Sequence, residues 1–258
     1  MKSFEVLASG IFYRHDLKIV RTTCTLSYDD KTLGLIESNW DKELQCAHEN
    51  NKLLFNGPIY RLENYEKRGR LLIVYVSHTN FKELMGTNFA HPELAEVYGT
   101  SYLSNAIALC TFLETSDGKF IFVKRSHNVY MGEGLWHLIA GQFSIENDEA
   151  HPLTAFEILF KELFEEGSLA ESDIEQCLCL GLIRDAVYFK PELVFYTKTF
   201  LNSTEVVEKI ESAHDGFEHD EIKVIPKDEL DSFFSKEKFT RIAQGNYHQY
   251  KTEFLSHE

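Results

Sequence analysis

Three acidic side chains, Glu162, Glu165 and Glu166, carry the spacing in this chain most suggestive of chemistry. In a helix over residues 153–166, Glu162 and Glu166 stand i and i+4 apart, and Glu165 lies three positions after Glu162. All three carboxylates then share one surface near the helix C-terminus. Anions grouped there repel one another and the negative pole of the helix dipole, at about 0.3–1 kcal/mol each when exposed. A divalent cation reverses the sign of that interaction, and hard oxygen ligands with positions left for water and phosphate are what Mg2+ prefers. The same spacing also describes the solvated acidic end of an ordinary amphipathic helix, and spacing alone leaves both readings open.

The elements around this helix are expected to hold it against a sheet. Phe156, Leu159, Phe160 and Leu163 recur at helical spacing on the other face, which turns the glutamates away from the core. Upstream, residues 106–113 and 119–124 read as a β-hairpin about Thr115-Ser116-Asp117-Gly118. Residues 135–142 read as a strand that leads through a polar loop at 146–151 into the helix, with Gly167 as its stop. Further strands are expected at 177–184, 193–200 and 222–225, and a helix pair at 227–235 and 238–248. Strands interleaved with helices predict an α/β (α+β) sandwich.

The first part of the chain is richer in short strands, at 4–12, 19–26, 59–62 and 70–76, with one helix near 40–50. Asn56-Gly57-Pro58 is turn chemistry, and residues 64–69 read as a polar connection between strands. We place a boundary at Tyr98-Gly99, which gives a smaller β-rich domain at 1–98 and the α/β domain at 99–258.

Bulk properties narrow the function classes. The formal charge is −15, of which residues 1–98 carry −1 and the remainder −14. Nucleic acid is therefore not an expected partner, because a phosphate backbone demands clustered Lys and Arg. No apolar run nears the roughly 20 residues of a membrane helix, and the N-terminus lacks the apolar centre of a secretory signal, so a cytoplasmic location is expected. Five scattered cysteines lack zinc spacing and are too few for a disulfide framework; Cys177 and Cys179 read as buried thiols. The histidines at 214–219 and 248–257 are irregularly spaced and are expected to be solvated.

Around the acidic helix the sequence resembles the Nudix box, in which a glycine and an acidic loop precede an Arg-Glu-apolar-x-Glu-Glu helix. The matching residues are Gly141 and Lys161-Glu162-Leu163-Phe164-Glu165-Glu166, entered through the strand Gly134-Leu135-Trp136-His137-Leu138-Ile139-Ala140-Gly141. Lys161 replaces the usual arginine, Ile139-Ala140 replaces Pro-Gly, and the loop is longer than usual. Asn147 sits where a glutamate is expected, with Glu146 or Glu149 as a stand-in; Ser168 occupies the usual glycine position. Leu54-Phe55-Asn56-Gly57-Pro58, Tyr60-Arg61-Leu62 and Lys82-Glu83-Leu84-Met85-Gly86-Thr87-Asn88 look like the extra N-terminal region of the UDP-glucose and UDP-galactose pyrophosphatases of that superfamily. Gly181 to Asp185 and Pro191 to Tyr196 resemble strands of the same branch.

The resemblance implies a Nudix-type α/β/α sandwich and hydrolysis of a UDP-sugar to UMP and a sugar 1-phosphate. It further implies Mg2+, or Mn2+, held by Glu162, Glu165 and Glu166. The general base is left open among these glutamates, Glu146, Glu218 and Glu221, with Glu221 counted among the catalytic candidates. Arg61, Arg125 and Arg184 are expected to clamp phosphate, Gly86, Thr87 and Asn88 to contact uridine or sugar, and Tyr188 to stack on uracil. Two alternatives stand beside this reading: a nucleotide-binding module without turnover, and a hydrolase of another nucleoside diphosphate derivative such as ADP-ribose. Sugar identity and oligomeric state are not legible.

Overall fold

The structure is a computed structural model that describes residues 3–50, 52, 54–127, 129, 131–145, 154–215 and 218–255. Its centre is an eight-stranded mixed sheet of β1 (Phe4–Phe12), β5 (Ala108–Glu114), β6 (Lys119–Arg125), β7 (Trp136–His137), β8 (Ile139–Gln142), β9 (Ile174–Asp185), β10 (Pro191–Thr199) and β11 (His219–Pro226). The path through it runs β1-β9-β10-β5-β6-β11, with β8 on β5 and β7 on β6. A three-stranded sheet, in the order β2-β4-β3, is built from β2 (Leu17–Arg21), β3 (Pro58–Arg68) and β4 (Leu71–Asn80). The helices are α1 (Asp30–Glu49), α2 (Phe81–Leu84), α3 (Leu94–Tyr98), α4 (Ala155–Gly167), α5 (Ser203–Glu211), α6 (Leu230–Lys236) and α7 (Arg241–Tyr250).

Alternation along the central strands makes two cores. Leu109 and Leu113 of β5, with Leu193 and Phe195 of β10, pack with Phe156, Leu159 and Leu163 of α4 and Val206 and Ile210 of α5. Their neighbours Cys110, Phe112, Val194 and Tyr196 face the other way, onto Leu230 and Phe233 of α6 and Ile242, Tyr247 and Tyr250 of α7. Side chains that switch face at each residue are what a strand covered on both sides needs, so the expected mixed α/β sandwich is present. The small sheet joins the first core through Tyr60, Leu72, Val74 and Val76. Two features cross the boundary expected at Tyr98-Gly99. β1 pairs with β9 in the large sheet, and isolated bridges join Ile59 to Ser144 and Arg61 to Ala106.

Several elements differ from the sequence reading. α1 starts ten residues earlier than expected because Asp29 caps it, accepting from the Thr32 N–H at 2.7 Å. Residues 64–68 are not a connection but the end of β3, paired with β4 through Arg68 opposite Leu71, with Gly69 turning at φ +62°. The helix α5 has no counterpart in the sequence reading, although Asn202 and Glu205 form a complete capping box. Gly167 is the last residue of α4; the left-handed position that ends it is Ser168, at φ 51°.

One irregularity sets the position of the site. β5 and β6 pair only at Leu113–Ile121 and Glu114–Phe120, near their turn. Beyond that point the two strands part, and β8 takes the edge of β5 while β7 takes the edge of β6. The wedge places Gly141, opposite Leu109, under the C-terminal half of α4.

Candidate functional site

Thr154 and Glu157 box the start of α4, and its apolar residues clamp it to the sheet, so the rotation of the helix is fixed. Glu162 then lies directly over Gly141. A Cβ at that glycine would stand 1.9 Å from the Glu162 carboxyl carbon, so any side chain there would displace the carboxylate. One turn on, Glu166 is buried, with 5% of its surface exposed. Glu165 is half-buried, and its Oε1 lies 3.5 Å from Lys161 Nζ, the single-point brace expected where the family has arginine.

Burial dominates the electrostatics. It pushes the Glu162 carboxyl up to about 8, with the Glu166 and Glu165 carboxylates adding to the shift and Lys161 opposing it. Glu166 is driven well above the usual carboxylate range by burial and then by Glu218, while Arg125 and a hydrogen bond from the Ala140 backbone pull the other way. Burial also raises Glu218, against Arg125 and His219. Desolvated carboxyls grouped in this way resist ionisation unless a cation joins them.

The bulge between His219 and Glu221 on β11 decides which residues join this group. His219 pairs with Arg125 across the sheet and brings its Nε2 within 3.3 Å of Glu166 Oε2, with both side chains buried. The expectation of a solvated histidine is thus corrected at 219, while His214 and His248 are exposed as expected. Glu221 points elsewhere: its carboxylate lies 3.3 Å from Lys124 and 4.0 Å from Lys223. Of the two late base candidates, Glu218 is the one brought to Glu166. Glu146, Asn147 and Glu149 lie outside the described residues.

Among the expected substrate contacts, Arg125 is the one at the acidic group, where it acts on Glu166, Glu218 and His219; its Nε donates to Met131 O at 2.7 Å. Arg61 is buried and donates to the Ser101, Leu103 and Ser104 carbonyls as well as to Glu63. Thr87 Oγ1 accepts from the Ser104 N–H, and Asn88 accepts from the Asn105 N–H and donates to Tyr188 O. Gly86 lets its helix approach α1, since a Cβ there would meet Ile36 Cα at 2.8 Å. Arg61, Thr87 and Asn88 thus brace the segment that leads into β5. Arg184 is paired with Glu5, and the Tyr188 ring carries Arg241 at 5.1 Å from its centroid.

Sequence reasoning missed His137 and the pair Lys190–Glu192. His137 is buried beside Arg125 and Lys190, with its Nδ1 2.7 Å from Thr240 Oγ1; burial and then Arg125 hold it well below the usual histidine range. Lys190 Nζ sits 3.1 Å from Glu192 Oε1 in a buried ion pair. No local spacing links positions 137 and 190, which only the sheet brings together. Among the described residues, no three His, Cys, Asp or Glu side chains converge closely enough to close around an ion as they stand.

No family model matches this chain. Nudix hydrolase 9 of Arabidopsis thaliana is 23% identical over 234 residues, which cover 78% of this chain and 74% of that protein. The likeness supports the Nudix hydrolase superfamily. Solved structures similar to this chain include the MutT protein of Methanosarcina mazei Go1, 17% identical with a TM-score of 0.37 over 57% of this chain and 94% of its own. A C. elegans Ap4A hydrolase binary complex is 16% identical, with a TM-score of 0.36 over 59% of this chain and 99% of that one. NrtR of Shewanella oneidensis, complexed with a 27mer DNA, is 17% identical, with a TM-score of 0.39 over 57% of this chain and 60% of its own. No helix among the described residues is long and apolar enough to cross a membrane.

Proposed function

We propose that this chain hydrolyses the diphosphate of a nucleoside diphosphate derivative, and more narrowly of a UDP-sugar, to give UMP and a sugar 1-phosphate. The observation that carries the reading is the half-buried Glu162 and the buried Glu166, fixed one turn apart on α4, with Glu162 above a glycine that leaves room for a carboxylate and no side chain. The residues fit a hard divalent cation: the donors are oxygens, they are desolvated, and they repel neighbouring carboxylates when ionised. Glu162 and Glu166 would hold Mg2+ or Mn2+, with Glu165 released from Lys161. When bound, such an ion supplies the positive field that a diphosphate and an attacking water both require.

The remaining roles belong to the chain itself. Glu218, desolvated beside Glu166, is placed to accept the proton of the attacking water, and burial has already raised its basicity. Arg125 acts on the same group and would face phosphate oxygen, which a planar guanidinium binds well. The likeness to a Nudix hydrolase supports the reaction class. The UDP-sugar assignment rests on the resemblance of residues 54–62 and 82–88 to that branch. The same assignment keeps the 1–98 segment as a substrate-recognition unit, with Arg184 on β9 and Tyr188 in the turn that follows it as further candidate contacts.

The experiment is release of UMP from UDP-glucose with and without Mg2+, in the wild type and in Glu166→Gln, beside a panel that includes ADP-ribose. Turnover that needs the ion and is lost in the variant supports the hydrolase, and the panel fixes the substrate. One observation favours a second reading, a nucleotide-binding module: no three ligands converge among the described residues. Calorimetric binding of UDP-glucose without turnover at millimolar Mg2+ would establish it.

A further inference from the structure

Helical spacing assigns Glu165, and not the β11 residue His219, to the acidic group, yet it is His219 that meets Glu166. Glu165 is drawn to Lys161 at the half-exposed side of α4. His219 instead enters the acidic group, its Nε2 3.3 Å from Glu166 Oε2 and its side chain 6% exposed. At that distance the two groups touch without the alignment of a hydrogen bond, and neither ring nitrogen has a hydrogen-bond partner among the described residues. Buried polar atoms without partners are rare in folded proteins, and one beside a carboxylate calls for an account.

Glu166 on α4, Glu218 immediately before His219 in the chain, Arg125 on β6 and His137 on β7 face the ring. An imidazole nitrogen without a hydrogen-bond partner among the described residues has a lone pair to offer, and a cation between it and the Glu166 carboxylate would satisfy the ring and the acid group at once.

We propose that His219 is a nitrogen ligand of the divalent ion, joined to Glu166, so that this site selects a first-row transition ion such as Mn2+ over Mg2+. The proposal rests on the metal-dependent reading of the site. Carboxylate oxygens alone suit Mg2+, which retains its water reluctantly exchanged, whereas imidazole is a ligand of the transition ions. The imidazole already stands against Glu166, whereas Glu165 has first to leave Lys161. Glu166 and His219 are already together, and the ion has only to draw in one further carboxylate of the group.

Pulsed electron paramagnetic resonance of Mn2+ added to the whole protein reads the ligand directly. The wild type should show 14N modulation that changes when histidine is replaced by its 15N-labelled form, and that disappears in His219→Gln. Free-Mn2+ titrations should show the preference for Mn2+ over Mg2+ falling in the variant by at least the roughly 10-fold that loss of even an outer partner of a metal ligand causes. Mn2+ bound by the wild type without 14N modulation would overturn the proposal and leave the carboxylate site standing. Folded wild-type protein that binds no Mn2+ would overturn the metal-dependent reading along with it. Should His219→Gln fail to fold by circular dichroism, His219→Asn and the isotope shift in the wild type carry the same decision.

Discussion

Glu162→Gln should remove a pH-dependent instability from the metal-free protein. The Glu162 carboxyl is raised from 4.5 to about 8, first by burial and then by Glu166 and Glu165. Below the unfolded value both states hold the proton and the group contributes nothing. As pH rises, the unfolded chain ionises first while the folded site retains its proton, so stability falls until the folded value is passed. Each unit is worth about 1.4 kcal/mol, so between about pH 5.5 and about pH 8.5 the loss is at most about 3 kcal/mol. Relaxation and water reaching the partly open side of Glu162 reduce the realised loss to roughly half of that. Urea midpoints measured in EDTA at those two pH values test it. The wild type should lose about 1.5–3 kcal/mol more than Glu162→Gln over the interval. Equal slopes in the two proteins would refute the claim that this carboxyl is desolvated and crowded in the folded state.

Three further perturbations test the construction around the site. Gly141→Ala puts a methyl group into the Glu162 carboxyl and should cost about 1–3 kcal/mol of stability while abolishing turnover; thermal melts and the UMP assay read both. Ser168→Gly should stabilise the chain by about 0.4–1 kcal/mol, because Ser168 holds the left-handed position after α4 that glycine adopts without strain. Asn202→Ala should lower the urea midpoint by the equivalent of about 1 kcal/mol, since the Asn202 side chain accepts from both the Thr204 and Glu205 N–H groups at the start of α5.

What was legible in the sequence follows the range of the interactions involved. The hairpin about Thr115–Gly118 and the apolar face of α4 are written in local spacing, and both stand close to where they were expected. The helix α5 is short, but its inward residues Val206 and Ile210 stand one turn apart and Asn202 and Glu205 cap it, so both signals are present in the sequence and sequence reasoning missed them. In β3 the residues after Asn64 look polar because that end is largely exposed, yet Tyr65 turns inward and the pairing with β4 continues.

The site divides in the same way. Glu162 and Glu166 lie one turn apart on one helix, and their juxtaposition needs nothing but helical geometry. Glu218 and His219 reach Glu166 only through the register of β11 on β6 and a bulge, which no spacing in the sequence encodes. That bulge is also why Glu221, two positions from His219, meets lysines instead. An arginine in a strand, such as Arg61, has the chemistry of a phosphate clamp, but the backbone carbonyls of Ser101, Leu103 and Ser104 engage it first. Thr87 and Asn88 likewise serve the segment before β5, so the motif that carries the branch resemblance has a structural use of its own.

The most direct test of the central claim is the initial rate of UMP release from UDP-glucose in Glu166→Gln against the wild type at saturating Mg2+, with both proteins shown folded by circular dichroism. A loss of at least about 100-fold, the scale set by removing one transition-state contact, is the predicted result. A variant that retains the wild-type rate, or a wild-type rate that EDTA leaves unchanged, would contradict the assignment of chemistry to the acidic surface of α4.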